Sequence, residues 1–108
     1  MESIRVLLLW HADDAAMKII ADVDPRVRVA CIPYMEPDEV RDLRRQGQQA
    51  EVNARQVPIP EGLIDQLKVT DVLFGIDYPT DVIALAPRLK WVQSIGAGVD
   101  HLGSTGLL

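Results

Sequence analysis

Four short apolar runs, separated by segments of helical character, constrain the fold more than any other feature of this sequence. The runs cover residues 4–10, 27–32, 71–75 and 89–95. Each has the length and composition of a buried strand, and the segments between them carry helix-start residues or apolar residues at helical spacing. Strands that alternate with helices pair in parallel through right-handed crossovers. The sequence therefore predicts an α/β fold of three layers, with an open, mainly parallel sheet between helices on both faces.

A capping signal marks the first predicted helix. Asp13 and Asp14 supply an N-cap and favourable negative charge, and Pro25 ends the segment. The helix is predicted to carry four apolar residues on one face: Ala16, Ile19, Ile20 and Val23. This spacing is typical of a helix that packs against a sheet.

The second predicted helix begins with Pro37 at its first position and ends near Gly47. Val40 and Leu43 are its clearly apolar side chains, so we expect this helix to be mostly exposed. Residues 46–56 are polar without a sustained period, and we expect them to be the least ordered stretch.

Two further helices are expected before the last strand. Residues 61–68 predict a short helix, and Pro79 opens another that Pro87 closes. The side chains expected to turn inward from the latter are Val82, Ile83 and Leu85. Trp91, in the apolar run 89–95, is expected in the core.

Composition excludes several classes of function. The 108 residues are enough for a single domain, and the net charge is −5, with Lys and Arg scattered apart from the interrupted run 41–45. Nucleic acid is therefore not expected as a partner, because phosphate binding needs a concentrated basic face. No apolar stretch approaches the ~20 residues of a membrane span, and the first residues lack the form of a signal peptide. No membrane partner is expected.

Cysteine usage points to a reducing compartment. Cys31 is the single cysteine, so the chain has neither a disulfide framework nor a thiolate metal cluster. Its expected role is that of a small, buried apolar residue on a strand. A cytoplasmic setting fits this pattern.

Ligands of open α/β sheets bind beyond the carboxyl ends of the strands, near a topological switch. Three loops are predicted at that edge: residues 11–13, 75–79 and 96–100. In the third, Gly96 and Gly98 have no Cβ and can bring the main chain close to a ligand. Consecutive amides at a strand end can form an anion-binding concavity. Asp100 is expected to fix this turn through nearby amides, or to cap a following helical turn.

The same glycines allow two other interpretations. Gly96-Ala97-Gly98 begins like the dinucleotide fingerprint G-x-G-x-x-G, but His101 stands at the sixth position, and Gly103 comes two places late. A plain glycine turn without a ligand is the simplest alternative.

Residues 86–102 carry a resemblance to a known family. They read APRLKWVQSIGAGVDHL and resemble the segment that closes the first part of D-isomer-specific 2-hydroxyacid dehydrogenases, which often carry the phrase P-x-LKW-x-Q-x-x-GAGVD. Residues 4–10 and 71–75 lie where this family has its first strand and a later core strand. The resemblance thus spans most of the chain, and its specificity lies in residues 86–102.

The resemblance implies a flavodoxin-like substrate domain whose glycine loop holds the substrate carboxylate. Carried onto this sequence, the main-chain amides of Ala97 and Gly98 bind the carboxylate, and Gly96 shapes the approach. The loop after the run 71–75 borders the substrate in this family. Tyr78 lies in that loop here, with Ile76 and Asp77, and either contacts the substrate or packs on the domain as a loop aromatic.

The resemblance also implies what lies outside these residues. The family oxidises D-2-hydroxy acids or reduces 2-oxo acids with NAD or NADP, and we expect the parent protein to be a homodimer. Its Rossmann domain and its catalytic arginine, histidine and carboxylate follow the segment represented here. We therefore expect residues 1–108 to be an N-terminal substrate-domain fragment that holds no catalytic residue, cofactor or metal and is inactive alone. Apolar surface left for the Rossmann domain and a return segment should favour self-association.

Other functions remain open at this stage. His11 and His101 are candidates for acid–base catalysis, although surface or domain-contact roles are the simpler interpretation. Asp13 and Asp14 suit a helix start better than a Mg²⁺ site. A non-catalytic flavodoxin-like module that binds a small anion or a protein is the main alternative. A receiver-like domain is weaker, because Asp77 comes late for a phosphoacceptor.

Overall fold

A four-stranded parallel sheet organises residues 2–95, the part of the chain that this computed structural model describes. The elements are β1 (Ile4–Leu8), α1 (Asp14–Ala21), β2 (Val27–Cys31), α2 (Asp38–Arg45), α3 (Gln49–Ala54), α4 (Leu63–Leu67), β3 (Val72–Gly75), α5 (Val82–Leu85) and β4 (Trp91–Ser94). The strand order is β2-β1-β3-β4. The predicted fold class, a flavodoxin-like α/β sheet, is confirmed.

The two central strands, β1 and β3, hold the sheet together. Leu8 of β1 lies opposite Cys31 of β2 on one side and Phe74 of β3 on the other, and Gly75 of β3 lies opposite Ser94 of β4. The chain builds outward from β1 to β2 and then returns to add β3 and β4. The topological switch, where ligands of such sheets bind, therefore lies between β1 and β3.

One face of the sheet is closed by the later helices. Leu7 and Leu9 alternate with Leu8 and form one core cluster with Leu73. The helix residues of that cluster are Leu63 and Leu67 of α4 and Val82 of α5. Leu7 and Leu73 are fully buried, so this face supplies most of the hydrophobic stabilisation.

The opposite face is less completely covered. A groove of about 580 Å³ runs between α1 and the sheet. Its apolar lining includes Val6, Ile20 and Phe74, and the ring of Phe74 stacks on Trp10 with centroids 6.2 Å apart. Apolar surface is therefore exposed on this face, while its cover by a Rossmann domain or a return segment, and self-association, stay predictions.

The predicted start of α1 is correct, but its predicted apolar face is only partly buried. The Asp13 carboxylate accepts a hydrogen bond from the Ala16 amide at 2.8 Å, as an N-cap does. Ile19 is 70% exposed and Val23 is 78% exposed. Val23 lies beyond the end of the helix, and α1 packs mainly against the edge strand β2, which leaves part of its apolar stripe uncovered.

The stretch 46–56, expected to lack order, contains α3. Val52 is 3% exposed and anchors this helix, which packs against α2. A six-residue helix with a single buried side chain produces no periodic signal, so the sequence pattern missed it. Pro37 is the N-cap of α2 rather than its first residue, and Gly47 follows the helix with φ of 71° as expected.

Two inward-facing predictions near the end of the described chain are wrong. Trp91 is 61% exposed because β4 is an edge strand of the described sheet. Ile83 is 43% exposed because α5 is one short turn that begins at Val82, after Asp81. No helix in residues 2–95 is both long and apolar enough to cross a membrane.

Truncation of a core leucine on the closed face should lower the free energy of unfolding more than truncation of an apolar residue on the open face. We expect Leu67→Ala, at a fully buried position in α4, to lower the free energy of unfolding by about 2–5 kcal/mol. Ile19→Ala, at an exposed position in α1, is the matched control and should change it by about 0.5 kcal/mol or less. Urea unfolding followed by circular dichroism measures both, and equal losses would contradict the burial described here.

Candidate functional site

The carboxyl ends of the strands carry the candidate site. Residues 9–13 follow β1, residues 76–81 follow β3, and Ile95 follows β4. The predicted carboxylate-binding residues Gly96, Ala97 and Gly98, together with Asp100 and His101, lie outside the described residues. Their roles stay predictions. The described part of the site consists of the residues that follow β1 and β3, together with Ile95.

A close contact joins β3 to β1 and to the following loop at Gly75. A Cβ added at Gly75 would lie 3.2 Å from Leu9 Cβ and 3.2 Å from Tyr78 Cε1. Both distances are shorter than ordinary van der Waals contact, so a larger residue here would need its neighbours to shift by a few tenths of an ångström. The absence of a side chain lets the Tyr78 ring fold back over the strand end.

Tyr78 links the carboxyl ends of β3 and β4. Its hydroxyl lies 2.9 Å from the carbonyl oxygen of Gly75 and 3.2 Å from that of Gln93, and donates between them. The Ile95 amide donates to the same Gly75 oxygen at 2.9 Å. The residue immediately before Gly96 is therefore hydrogen-bonded to the end of β3.

Tyr78 is predicted to contact substrate, but its side chain is almost fully buried. Tyr78 is 1% exposed. Burial raises the pKa of its hydroxyl, and the hydrogen bonds of that hydroxyl partly oppose the increase. The side chain packs on the domain as a loop aromatic, which is the alternative role considered for it. A direct contact with substrate stays a prediction.

Asp77 is fully buried and held by groups from two other segments. Its carboxylate accepts hydrogen bonds from Arg41 Nε at 2.8 Å and Arg41 Nη2 at 2.6 Å. It also accepts one from the Glu36 amide at 2.9 Å. A carboxylate enclosed in this way is not exposed as the phosphoacceptor of a receiver domain would be.

A second ion pair lies beside the first. Arg44 donates from Nε to Glu36 Oε1 and from Nη2 to Glu36 Oε2, both at 2.9 Å, and both side chains are 1% exposed. Arg44 Nη2 also lies 3.0 Å from Thr80 Oγ1. The Tyr34 hydroxyl donates to Glu36 Oε2 at 2.6 Å, and burial, reinforced by Glu36, raises the pKa of Tyr34.

These four charged side chains form one unit, which we call the charge network: Glu36, Arg41, Arg44 and Asp77. Two carboxylates face two guanidinium groups, so the formal charges cancel. The network joins three segments at the sheet edge, namely the chain after β2, helix α2 and the loop after β3. The desolvation of buried charges offsets much of their attraction, whereas loss of one partner leaves a buried charge uncompensated.

Sequence reasoning missed most of this network. Residues 41–45 appear as a short basic run on a helix expected to be exposed, although Arg41 and Arg44 share the inward face with Val40. Arg44 lies four residues after Val40 and three after Arg41, and these spacings were a usable signal for a shared face. The acidic partners could not be assigned, because Asp77 lies 36 residues beyond Arg41.

The other predicted candidates do not gather at one place. His11 is exposed in the loop after β1, and Asp13 caps α1. Cys31 is partly buried, and its thiol donates to the Trp10 carbonyl oxygen at 3.0 Å. Within residues 2–95, no three His, Cys, Asp or Glu side chains are grouped so as to hold a metal ion.

Comparison with known proteins adds no relative: no protein-family model, curated protein or solved structure matches this chain. The resemblance to D-isomer-specific 2-hydroxyacid dehydrogenases therefore rests on the residues that carry it, chiefly 86–102. The described fold and the geometry around Gly75 stand independently of it.

The two tyrosines of the chain should make its stability fall in alkali. Burial raises the pKa of Tyr34 and of Tyr78, so the folded chain retains hydroxyl protons that the unfolded chain releases. The free energy of unfolding is then unaffected by these groups below pH ~10 and decreases as the pH rises above it. Urea unfolding between about pH 8 and about pH 11 measures the slope.

Tyr34→Phe and Tyr78→Phe are the matched controls for this alkaline loss. Each variant should show a shallower fall than the wild-type chain, since each removes one titrating hydroxyl. A wild-type slope retained in both variants would assign the alkaline loss to other groups and contradict the prediction.

Proposed function

We propose that this chain is the substrate-binding portion of an NAD(P)-dependent oxidoreductase acting on D-2-hydroxy acids and 2-oxo acids. The observation that carries the proposal is the phrase in residues 86–102, which includes β4 and continues into Gly96-Ala97-Gly98. In a parallel sheet, that position is the end at which ligands bind. The described fold supports the proposal, because β4 pairs with β3 next to the switch.

The proposed role of the chain is to hold the substrate carboxylate. Charge-assisted hydrogen bonds contribute roughly 1.5–3 kcal/mol each, so two amides, those of Ala97 and Gly98, supply about 3–6 kcal/mol. A dissociation constant of 1 mM corresponds to about 4.1 kcal/mol, which places the expected affinity in the millimolar range. The chain has a net charge of −5, so its overall field does not attract anions. Recognition of a carboxylate must therefore come from local donors such as these main-chain amides.

The nicotinamide cofactor does not fit the described residues. A dinucleotide cradle after the first strand needs glycines that let the main chain approach the pyrophosphate. Residues 9–13 contain none, and Trp10 stacks on Phe74 there. In this proposal NAD or NADP binds a Rossmann domain of the same protein, as the family resemblance implies.

Exposed apolar side chains support a further partner for this domain. Trp91 on β4 and Ile95 just after it are 61% and 47% exposed, as expected of an edge that other polypeptide covers. A Rossmann domain and a homodimeric parent complete the proposal and rest on the family resemblance, and a cytoplasmic location rests on the single cysteine.

A non-catalytic module that binds small anions or a protein is the second candidate. It is favoured by the arrangement of acids and bases within residues 2–95. Asp77 and Glu36 are enclosed in ion pairs, Asp13 caps a helix, and His11 is exposed in its loop. An acid–base pair assembled at the carboxyl edge is absent from that part of the chain.

Titration with small carboxylates tests the binding role. We expect pyruvate and glyoxylate to shift the amide resonances of residues 96–100 with a dissociation constant of a few millimolar. Pyruvamide, which lacks the charge, should bind at least about tenfold more weakly, a difference of about 1.4 kcal/mol. Ala97→Pro removes one amide donor and should abolish the shifts. Unshifted amides at about 50 mM pyruvate would overturn the carboxylate role.

The oxidoreductase role is tested on the protein as its natural gene encodes it, from Met1 to the stop codon. We expect oxidation of NADH or NADPH in the presence of glyoxylate, hydroxypyruvate or pyruvate. Carboxylate binding without turnover would instead favour the non-catalytic module.

A further inference from the structure

The ion pair between Asp77 and Arg41 holds the β3–α5 loop, which lies close to the strand end that precedes the proposed carboxylate-binding residues Ala97 and Gly98. Asp77 comes two residues after Gly75, the last residue of β3, and directly precedes Tyr78. It is 0% exposed, whereas the Arg41 side chain is 21% exposed. The pair thus fastens the buried root of the β3–α5 loop to helix α2.

The geometry of this pair restricts motion in two directions. Arg41 donates through Nε at 2.8 Å and Nη2 at 2.6 Å, so its planar guanidinium faces both carboxylate oxygens. The Glu36 amide adds a third donor from the chain after β2. Rotation of the Asp77 carboxylate would break at least one of these bonds in a buried setting, where the loss is costly.

A short path of contacts leads from Asp77 to the proposed carboxylate loop. Tyr78, the next residue, bonds through its hydroxyl to the carbonyls of Gly75 and Gln93. The Gly75 carbonyl also accepts from the amide of Ile95, after which Gly96 follows in sequence. Displacement of Asp77 would move Tyr78 and so disturb the hydrogen bonds at the Gly75 carbonyl, which also accepts from the Ile95 amide.

We propose that Asp77, held by Arg41, is a positioning residue for the carboxylate-binding loop. This inference rests on the proposed function, since it assigns Asp77 a role in the affinity of that loop. Asp77 acts through Tyr78 and the end of β3 rather than by contact with the ligand. We expect this positioning role of Asp77 at the carboxyl end of β3, and not of a buried carboxylate at the other end of the strand.

Asp71 provides a matched control at the opposite end of the same strand. It is 4% exposed, and its Oδ2 accepts from the Arg5 amide at 2.9 Å. It precedes β3, whereas Asp77 follows it. Asp→Asn at either position disturbs a buried carboxylate beside β3, but only the change at position 77 lies next to Tyr78.

The experiment compares glyoxylate affinity, from the amide shifts of residues 96–100, in the wild-type chain and four variants. Asp77→Asn and Arg41→Met should weaken binding about tenfold, equivalent to about 1.4 kcal/mol. Arg41→Lys should recover part of the loss, because an ammonium restores the charge without the bidentate fork. Asp71→Asn should bind as the wild-type chain does, although its free energy of unfolding also falls.

Hydrogen exchange of the Ile95 amide gives a readout that needs no ligand. Its protection should fall in Asp77→Asn and stay unchanged in Asp71→Asn, relative to the global stability of each variant. Because Arg41 is partly exposed, the two Arg41 variants keep the test informative should Asp77→Asn fail to fold.

The outcomes separate this inference from the proposed function. A wild-type chain that binds no carboxylate overturns the proposed function, and the positioning role falls with it. Wild-type binding that is unchanged in Asp77→Asn and Arg41→Met overturns the positioning role alone. Equal weakening in Asp71→Asn would show a general effect of stability and would also overturn it.

Discussion

The buried charge network is the interaction on which the carboxyl edge depends. Glu36, Arg41, Arg44 and Asp77 come from the chain after β2, from α2 and from the loop after β3. Their hydrogen bonds join these three segments beside the core residues Tyr34 and Tyr78. A network in which each charge has a partner gives one well-defined arrangement, since every alternative leaves a charge buried and unpaired.

The two faces of the sheet are stabilised to different degrees. Leu7, Leu9 and Leu73 are enclosed by α4 and α5, whereas the face under α1 keeps an apolar groove of about 580 Å³. The hydrophobic contribution is therefore concentrated on one side of β1 and β3. The closed side packs the core cluster, and the open side leaves apolar surface between α1 and the sheet.

Local signals predicted the elements well and their surroundings less well. Asp13 was recognisable as a cap because capping needs only the next three residues. The exposure of Trp91 follows from the edge position of β4, which is a property of the assembled sheet. Arg44 is buried because Glu36 and Thr80 meet it in space, and no periodicity encodes such a meeting. Of the predicted binding residues, Tyr78 alone lies in the described chain, and its contacts are with the domain itself.

The close contact at Gly75 has a consequence for how related sequences vary. The space that a Cβ would need is already filled by Leu9 and the Tyr78 ring, at 3.2 Å each. In a close-packed interior such volume cannot be gained without loss elsewhere. A larger residue at position 75 would have to displace Leu9 or the Tyr78 ring slightly, so we expect such a change to be accompanied in evolution by a smaller residue at 9 or 78. A set of natural homologues would carry this exchange as a pairwise signature, independent of any shared ligand.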